Sequence, residues 1–285
     1  MGTKHTFSFG YSSCPNDTFI FKAIANQLID LGPYTFDISL EDVETLNQKA
    51  SSGIYAVTKL SFAAFGNLME NYGLLRSGSA LGKGCGPLVI SLPGRTLSDR
   101  KKPVIAVPGI GTTAFHLFQF YIQDQFEGHD MEFLPMPFEN IMPAVIQKKA
   151  DFGVIIHEGR FVYESRGLEM KADLGQWWEN DTNLPIPLGC IAIKRTIDSQ
   201  TSHDIETLIR NSILHAFEHP DILFDYIKAH ARELNNDIIT QYIDLYVNEY
   251  SVDLGEVGMR SIRAFFDKAA AHGLIPPADQ PLFAC

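Results

Sequence analysis

Several things are missing from this chain, and each absence excludes a class of function. Its cysteines, Cys14, Cys85, Cys190 and Cys285, lie far apart with no CxxC pair, so no zinc knuckle, dithiol redox centre or disulfide framework is spelled out. Basic residues are outnumbered, 23 Lys and Arg against 34 Asp and Glu for a net charge of −11, and a field of that sign repels nucleic acid and anionic membranes. No run of ~18 consecutive apolar residues occurs, the length that would span a bilayer. Met1 to His5 passes into a strand-like segment without a signal-peptide apolar block, which predicts a cytoplasmic protein. The nucleotide and zinc signatures break as well. Gly78 stands four rather than five positions before Gly82-Lys83, Gly84 fills the Ser/Thr slot of a P-loop, and Phe161 replaces the second histidine of an HExxH pattern.

What is present is a well-patterned globular chain. With 45% hydrophobic and 20% charged residues among 285, it can bury a sizeable core, and at about 150 residues per domain its length suits about two domains. Strand-like Thr6 to Gly10, Phe36 to Leu40 and Ile54 to Thr58 alternate with helical Asp17 to Ile29, Glu41 to Ser51 and Phe62 to Met69. That rhythm predicts a parallel sheet covered on both faces. A glycine-rich stretch, Gly78 to Gly86, leads to strand Pro87 to Leu92, after which the first crossing between domains is expected. A second α/β unit follows: strands Val104 to Val107, Met131 to Met136 and Phe152 to Ile156, with helices Thr112 to Phe126 and Asn140 to Lys149. Trp177 to Pro187 reads as a loop, Leu188 to Ile193 as a strand returning to the first unit, and the chain from Ser202 as helices wrapping that unit. The expected division is 1–95 plus 189–285 for one α/β lobe and 96–188 for the other, with a cleft between them.

In open α/β sheets ligands sit beyond the carboxyl ends of the strands, so the residues at those ends are the candidates for chemistry. After the first strand, Ser12, Ser13, Cys14, Asn16 and Asp17 offer donors to a polar ligand, although Asn16 or Asp17 could equally cap a helix, and no base is visible for Cys14. After the third, Lys59 and Ser61 stand beside a helix start, where free N–H groups favour anions; a solvated lysine and a plain serine cap is the other reading. Gly109-Ile110-Gly111-Thr112-Thr113-Ala114 matches the letters of a dinucleotide fingerprint, but Glu132 lies near the start of the next strand, not its end. The glycines and the N–H groups at Thr112 and Thr113 suit a small anionic ligand instead. His157 directly follows an apolar strand, the position of a general base or of a hydrogen-bonded structural histidine. His215 and His219 are four apart, as helical metal ligands would be, but His219 abuts Pro220 and a solvated helix terminus is preferred.

Gly10-Tyr11-Ser12-Ser13-Cys14-Pro15-Asn16-Asp17-Thr18-Phe19, Leu40 to Asn47, Thr58-Lys59-Leu60-Ser61 and Ile155-Ile156-His157-Glu158 together resemble the 1,4-dihydroxy-6-naphthoate synthase family of menaquinone biosynthesis. The likeness extends through Leu75-Arg76-Ser77-Gly78 and Leu184 to Gly189 as far as Pro281-Leu282-Phe283. It implies a two-lobe, type II periplasmic-binding-protein-like α/β fold, a cleft between two three-layer domains, and a carbon–carbon lyase acting on cyclic dehypoxanthinylfutalosine. It further implies His157 as proton acceptor, and Lys59, Leu60, Ser61, Thr113 and Ala114 as substrate contacts. Ile110-Gly111 and Gly159 depart from the pattern, so no role passes to them. The expected ligand is a small-molecule carboxylate, with no cofactor, metal, nucleic acid or membrane involved; the oligomeric state is left open. Chorismate dehydratase of the same pathway and a non-catalytic solute-binding protein are the alternatives.

Overall fold

The computed structural model describes residues 4–126, 130–220, 224–230, 235–277 and 279–285. Its first part runs β1 (His5–Ser12), α1 (Pro15–Ala25), β2 (Tyr34–Glu41), α2 (Val43–Ser51), β3 (Val57–Ser61), α3 (Phe62–Gly66), β4 (Tyr72–Leu74) and β5 (Ala80–Gly82). The second runs β6 (Leu88–Ser91), β7 (Val104–Val107), α4 (Thr113–Gln125), β8 (Glu132–Pro135), α5 (Ile141–Ile146), β9 (Phe152–Ile155), α6 (Gly159–Val162), β10 (Glu169–Asp173) and α7 (Leu174–Thr182). Strand β11 (Ile186–Lys194) and helices α8 (Ser199–Glu218), α9 (Phe224–His230), α10 (Asn236–Tyr246), α11 (Glu249–Val252) and α12 (Gly255–Ala271) complete the chain.

Two sheets result. The first has the order β2-β1-β3-β11-β4, with β5 pairing to β11, and the second β10-β6-β9-β7-β8. Neither is wholly parallel, which corrects the expectation: β1, β2 and β3 run together, but β11 is antiparallel to β3, as β6 is to β9. These two strands bring the chain across from the other unit and enter from the opposite end. The change of sheet precedes β6, not the 95/96 boundary expected from sequence, because Leu88–Ser91 hydrogen-bonds to β9 and β10. The loop expected over Trp177 to Pro187 is instead largely α7. Asp173 caps it by accepting from Gly175 N and Gln176 N, and Asn183 ends it in the left-handed conformation. Asn183, which contributes to the loop-like reading, is the helix's stop signal.

Alternation explains how β1 seats itself: Phe9 and Tyr11 pack with Phe21 of α1 in one core, which α8 completes with Ile205, Ile209 and Ile213. A second core runs from one sheet into the other, joining Leu60 and Phe65 to Val107, Val154, Trp178 and Phe265. A third lies under the second sheet around Leu88, Ile90, Ile141 and Val145. The C-terminal helices cover the first unit as expected, with α8 and α10 against α1, but α12 also reaches α4.

Candidate active site

A cleft of about 720 Å³ lies where the carboxyl ends of both sheets meet, lined among others by Cys14, Lys59, Ser61, Thr113, Ala114 and His157. A second space of about 500 Å³ continues past Cys14, His157 and Tyr242, which line both. Thus five of the six residues expected from the sequence converge. Leu60 does not: side chains alternate along β3, so Lys59 and Ser61 share one face while Leu60 points into the shared core, fully buried.

Lys59 lies within β3 rather than on a loop after it, and its charge is already matched. Its Nζ stands 2.8 Å from Asp17 Oδ1, with both side chains buried. Asp17 Oδ2 accepts from Ser12 N at 3.0 Å, and Oδ1 also accepts from Asn16 Nδ2 at 2.8 Å. The free positive charge expected in the cleft is therefore replaced by a buried ion pair that fixes the β1–α1 loop.

Ser61 caps α3, its Oγ accepting from Ala64 N, and donates to Gly111 O of the second unit at 2.8 Å. Asn47 holds it from behind, donating to Ser61 Oγ and accepting from Ser61 N. Across the same junction Ala63 N donates to Thr113 Oγ1 at 3.3 Å. Gly109 is needed here: its φ is +135°, and a Cβ would stand 2.8 Å from the Glu44 carboxyl. The fingerprint-like glycines therefore serve the approach of two chain segments.

Helix α4 begins at this point. Thr112 Oγ1 accepts from Phe115 N and donates to Gly109 O, leaving the N–H groups of Thr113 and Ala114 without acceptors among the described residues. A 13-residue helix aims its positive dipole end into the cleft there, a geometry that holds a carboxylate.

His157 follows β9 with a φ of +56°, a left-handed conformation that non-glycine residues adopt at a cost and that collects at functional sites. Its Nδ1 lies 2.7 Å from Tyr242 Oη and 3.6 Å from Cys14 Sγ. Phe138 meets the ring edge-on at a centroid distance of 4.8 Å. Nε2 has no partner among the described residues, which leaves it for a ligand. Burial disfavours the imidazolium, but the charge and hydrogen-bond interaction with Cys14, with Glu158 and Asp17 beyond, outweighs it and raises the His157 pKa to about 9. Burial pushes the Tyr242 phenol well above its ordinary range, so it stays protonated.

Tyr242 escaped the sequence reading, since it sits on α10 far along the chain as an ordinary member of an amphipathic helix. Cys14 has no base in its local sequence; the fold supplies His157 from 143 positions away. Among the described residues, His203, Glu206 and Cys285 are the group whose ligand atoms approach one another closely enough for a metal, within 4.8 Å. None lines the cleft, and Glu206 already accepts from Arg76 N and lies 3.7 Å from Arg210, which opposes a further cation. No helix among the described residues is long and apolar enough to cross a membrane.

Residues 7–271 match a family described as menaquinone biosynthesis. A Thermus thermophilus protein named 1,4-dihydroxy-6-naphtoate synthase is 41% identical over 277 residues, 96% of this chain and 97% of its own. A Streptomyces coelicolor protein of the same name is 39% identical, covering 95% of each chain. A Candida albicans protein described as having the generic periplasmic binding protein fold superposes with a TM-score of 0.70 at 12% identity, covering 96% of this chain and 92% of that one. At such identity the likeness establishes the fold alone, and that fold is the two-lobe, periplasmic-binding-protein-like α/β architecture.

Proposed function

The chain belongs to the menaquinone-biosynthesis family and is an enzyme, and from that premise we propose that it converts cyclic dehypoxanthinylfutalosine to 1,4-dihydroxy-6-naphthoate and dihydroxyacetone, with His157 as proton acceptor. What carries the reading is 41% identity across 96% of the chain to the Thermus thermophilus enzyme of that name. The cleft supports it. The unpaired N–H groups of Thr113 and Ala114 receive the substrate carboxylate, where the helix dipole and exclusion of water strengthen the contact. Lys59, neutralised by Asp17, contributes a remaining ammonium proton and rigidity rather than net charge. Ser61 and Asn47 hold the two units in register around the ligand. His157 withdraws a proton through Nε2, and the electron pair released expels the sugar-derived fragment as the ring system becomes aromatic.

The direct test is to incubate the purified protein with cyclic dehypoxanthinylfutalosine and follow naphthoate absorbance, with chorismate in parallel. Turnover of chorismate alone would overturn the assignment, as would tight binding without turnover. General-base assistance contributes about 10²- to 10⁴-fold, so His157→Ala is expected to lose turnover by that factor with substrate binding retained. Near-wild-type turnover in the variant would remove His157 from the role.

A further inference from the structure

We propose that the smaller space past His157, bordered by Ser12, Ser13, Asp42 and Glu158, is the subsite for the hydroxyl-bearing three-carbon portion of the substrate, while the larger cleft holds its aromatic carboxylate end. The inference rests on the function proposed above and specifies how that substrate lies.

The two spaces differ in kind. In the larger one the N–H groups of Thr113 and Ala114 at the start of α4 are left free as donors, and the walls are apolar at Ala80, Pro87, Ile156 and Leu188. A flat aromatic acid finds both its needs there: an apolar slot and a positive helix end. The smaller one is bordered by two carboxylates, which only accept, and by the Ser12 and Ser13 hydroxyls, which accept as well as donate. Glu158 precedes α6 without capping it, and neither its carboxylate nor the Ser13 hydroxyl has a partner among the described residues. Asp42 adds a second carboxylate, already accepting from Glu44 N and Thr45 N. Two carboxylates repel a third but accept hydrogen bonds from neighbouring hydroxyls. Only one orientation of a molecule that is an acid at one end and a polyol at the other avoids facing like charges. That orientation puts the bond between the two portions beside His157, which lines both spaces.

The test compares wild type with Ser13→Ala, Ser13→Leu and Glu158→Gln, measuring KM for the intact substrate and, by titration, the Kd of 1,4-dihydroxy-6-naphthoate. Losing the Ser13 hydrogen bond in Ser13→Ala, or exchanging one carboxylate acceptor for an amide donor in Glu158→Gln, is expected to raise KM by about three- to tenfold, with a larger rise in Ser13→Leu, which fills the space. The naphthoate Kd is expected to stay within about twofold of wild type in all three. Glu158 also faces His157, so Ser13→Ala is the discriminating variant: it changes no charge and must leave the pH inflection of turnover in place. The partnerless Ser13 hydroxyl can be removed without breaking an internal bond, and matching thermal unfolding checks this. The subsite assignment is overturned if KM stays at wild type in these variants, or if naphthoate affinity falls in step with KM. A wild-type protein that neither binds naphthoate nor turns over the substrate overturns instead the function on which the assignment rests.

Discussion

His157 is held in a backbone conformation that costs about 1–2 kcal/mol for a residue with a Cβ, and the surroundings that impose it also set its proton affinity. Cys14 and Tyr242 approach the same nitrogen, Nδ1, and Glu158 and Asp17 add negative potential, so the imidazole pKa is raised to about 9. A proton acceptor must be neutral, so kcat/KM is expected to rise with pH through about 9 and level off above it. Removing the Cys14 side chain subtracts the leading favourable contribution and leaves burial opposed only by Glu158 and Asp17, so Cys14→Ala should move the inflection of the pH–rate profile toward neutral pH. An inflection unmoved in that variant would show that Cys14 does not hold the histidine's proton. Lys59 and Asp17 pose a different problem, that of a buried ion pair. Replacing one partner strands the other, at a cost of about 3–5 kcal/mol. Lys59→Met is accordingly expected to lower unfolding free energy by that amount in urea titrations, and a loss under about 1 kcal/mol would contradict the pairing.

At the scale of elements, the site depends on where helices begin and which face a strand presents. The residues Thr58 to Ser61 were legible in sequence as a candidate site, but their division was not: a strand of five buried residues shows no polar–apolar alternation from which to tell its faces. Pairing with β1 and β11 decides that Lys59 meets Asp17 while Leu60 enters the core. The start of α4 was legible, because Thr112 caps it and glycines precede it. That those glycines meet Glu44 of α2 was not, since nothing in the local sequence of either segment names the other. Gly109→Ala brings a Cβ to within 2.8 Å of the Glu44 carboxyl at a φ of +135°, and such strained positions cost about 1–3 kcal/mol. The variant is expected to melt earlier and to bind substrate more weakly as the start of α4 is displaced. Wild-type melting and KM together would show that the close approach is dispensable.

Over the whole molecule, the net charge of −11 and the internal pairing of Lys59 give a field that repels anions at a distance, and the proposed carboxylate substrate would be captured by the helix dipole at short range. Screening should then help: kcat/KM is expected to rise about two- to fourfold between roughly 20 and 150 mM salt. A fall would mean that a local positive field guides the substrate in. The longer strands and helices from β1 to α3 and from β6 to β9, and the positions of Ser12 to Asp17, Thr113 and His157 at or beside their ends, were set by hydrophobic periodicity and turn chemistry, which act within a few residues and so can be read from the sequence alone, whereas the short strands β4, β5 and β10 and the helix α7 were not. Three things only the tertiary structure decided: that β6 joins the second sheet, that Asp17 cancels Lys59, and that Cys14, His157 and Tyr242 from β1–α1, β9 and α10 meet at one nitrogen. Each is a contact between segments far apart in the chain, fixed by sheet pairing and core packing, and local patterning does not encode which distant partner a buried polar group will find.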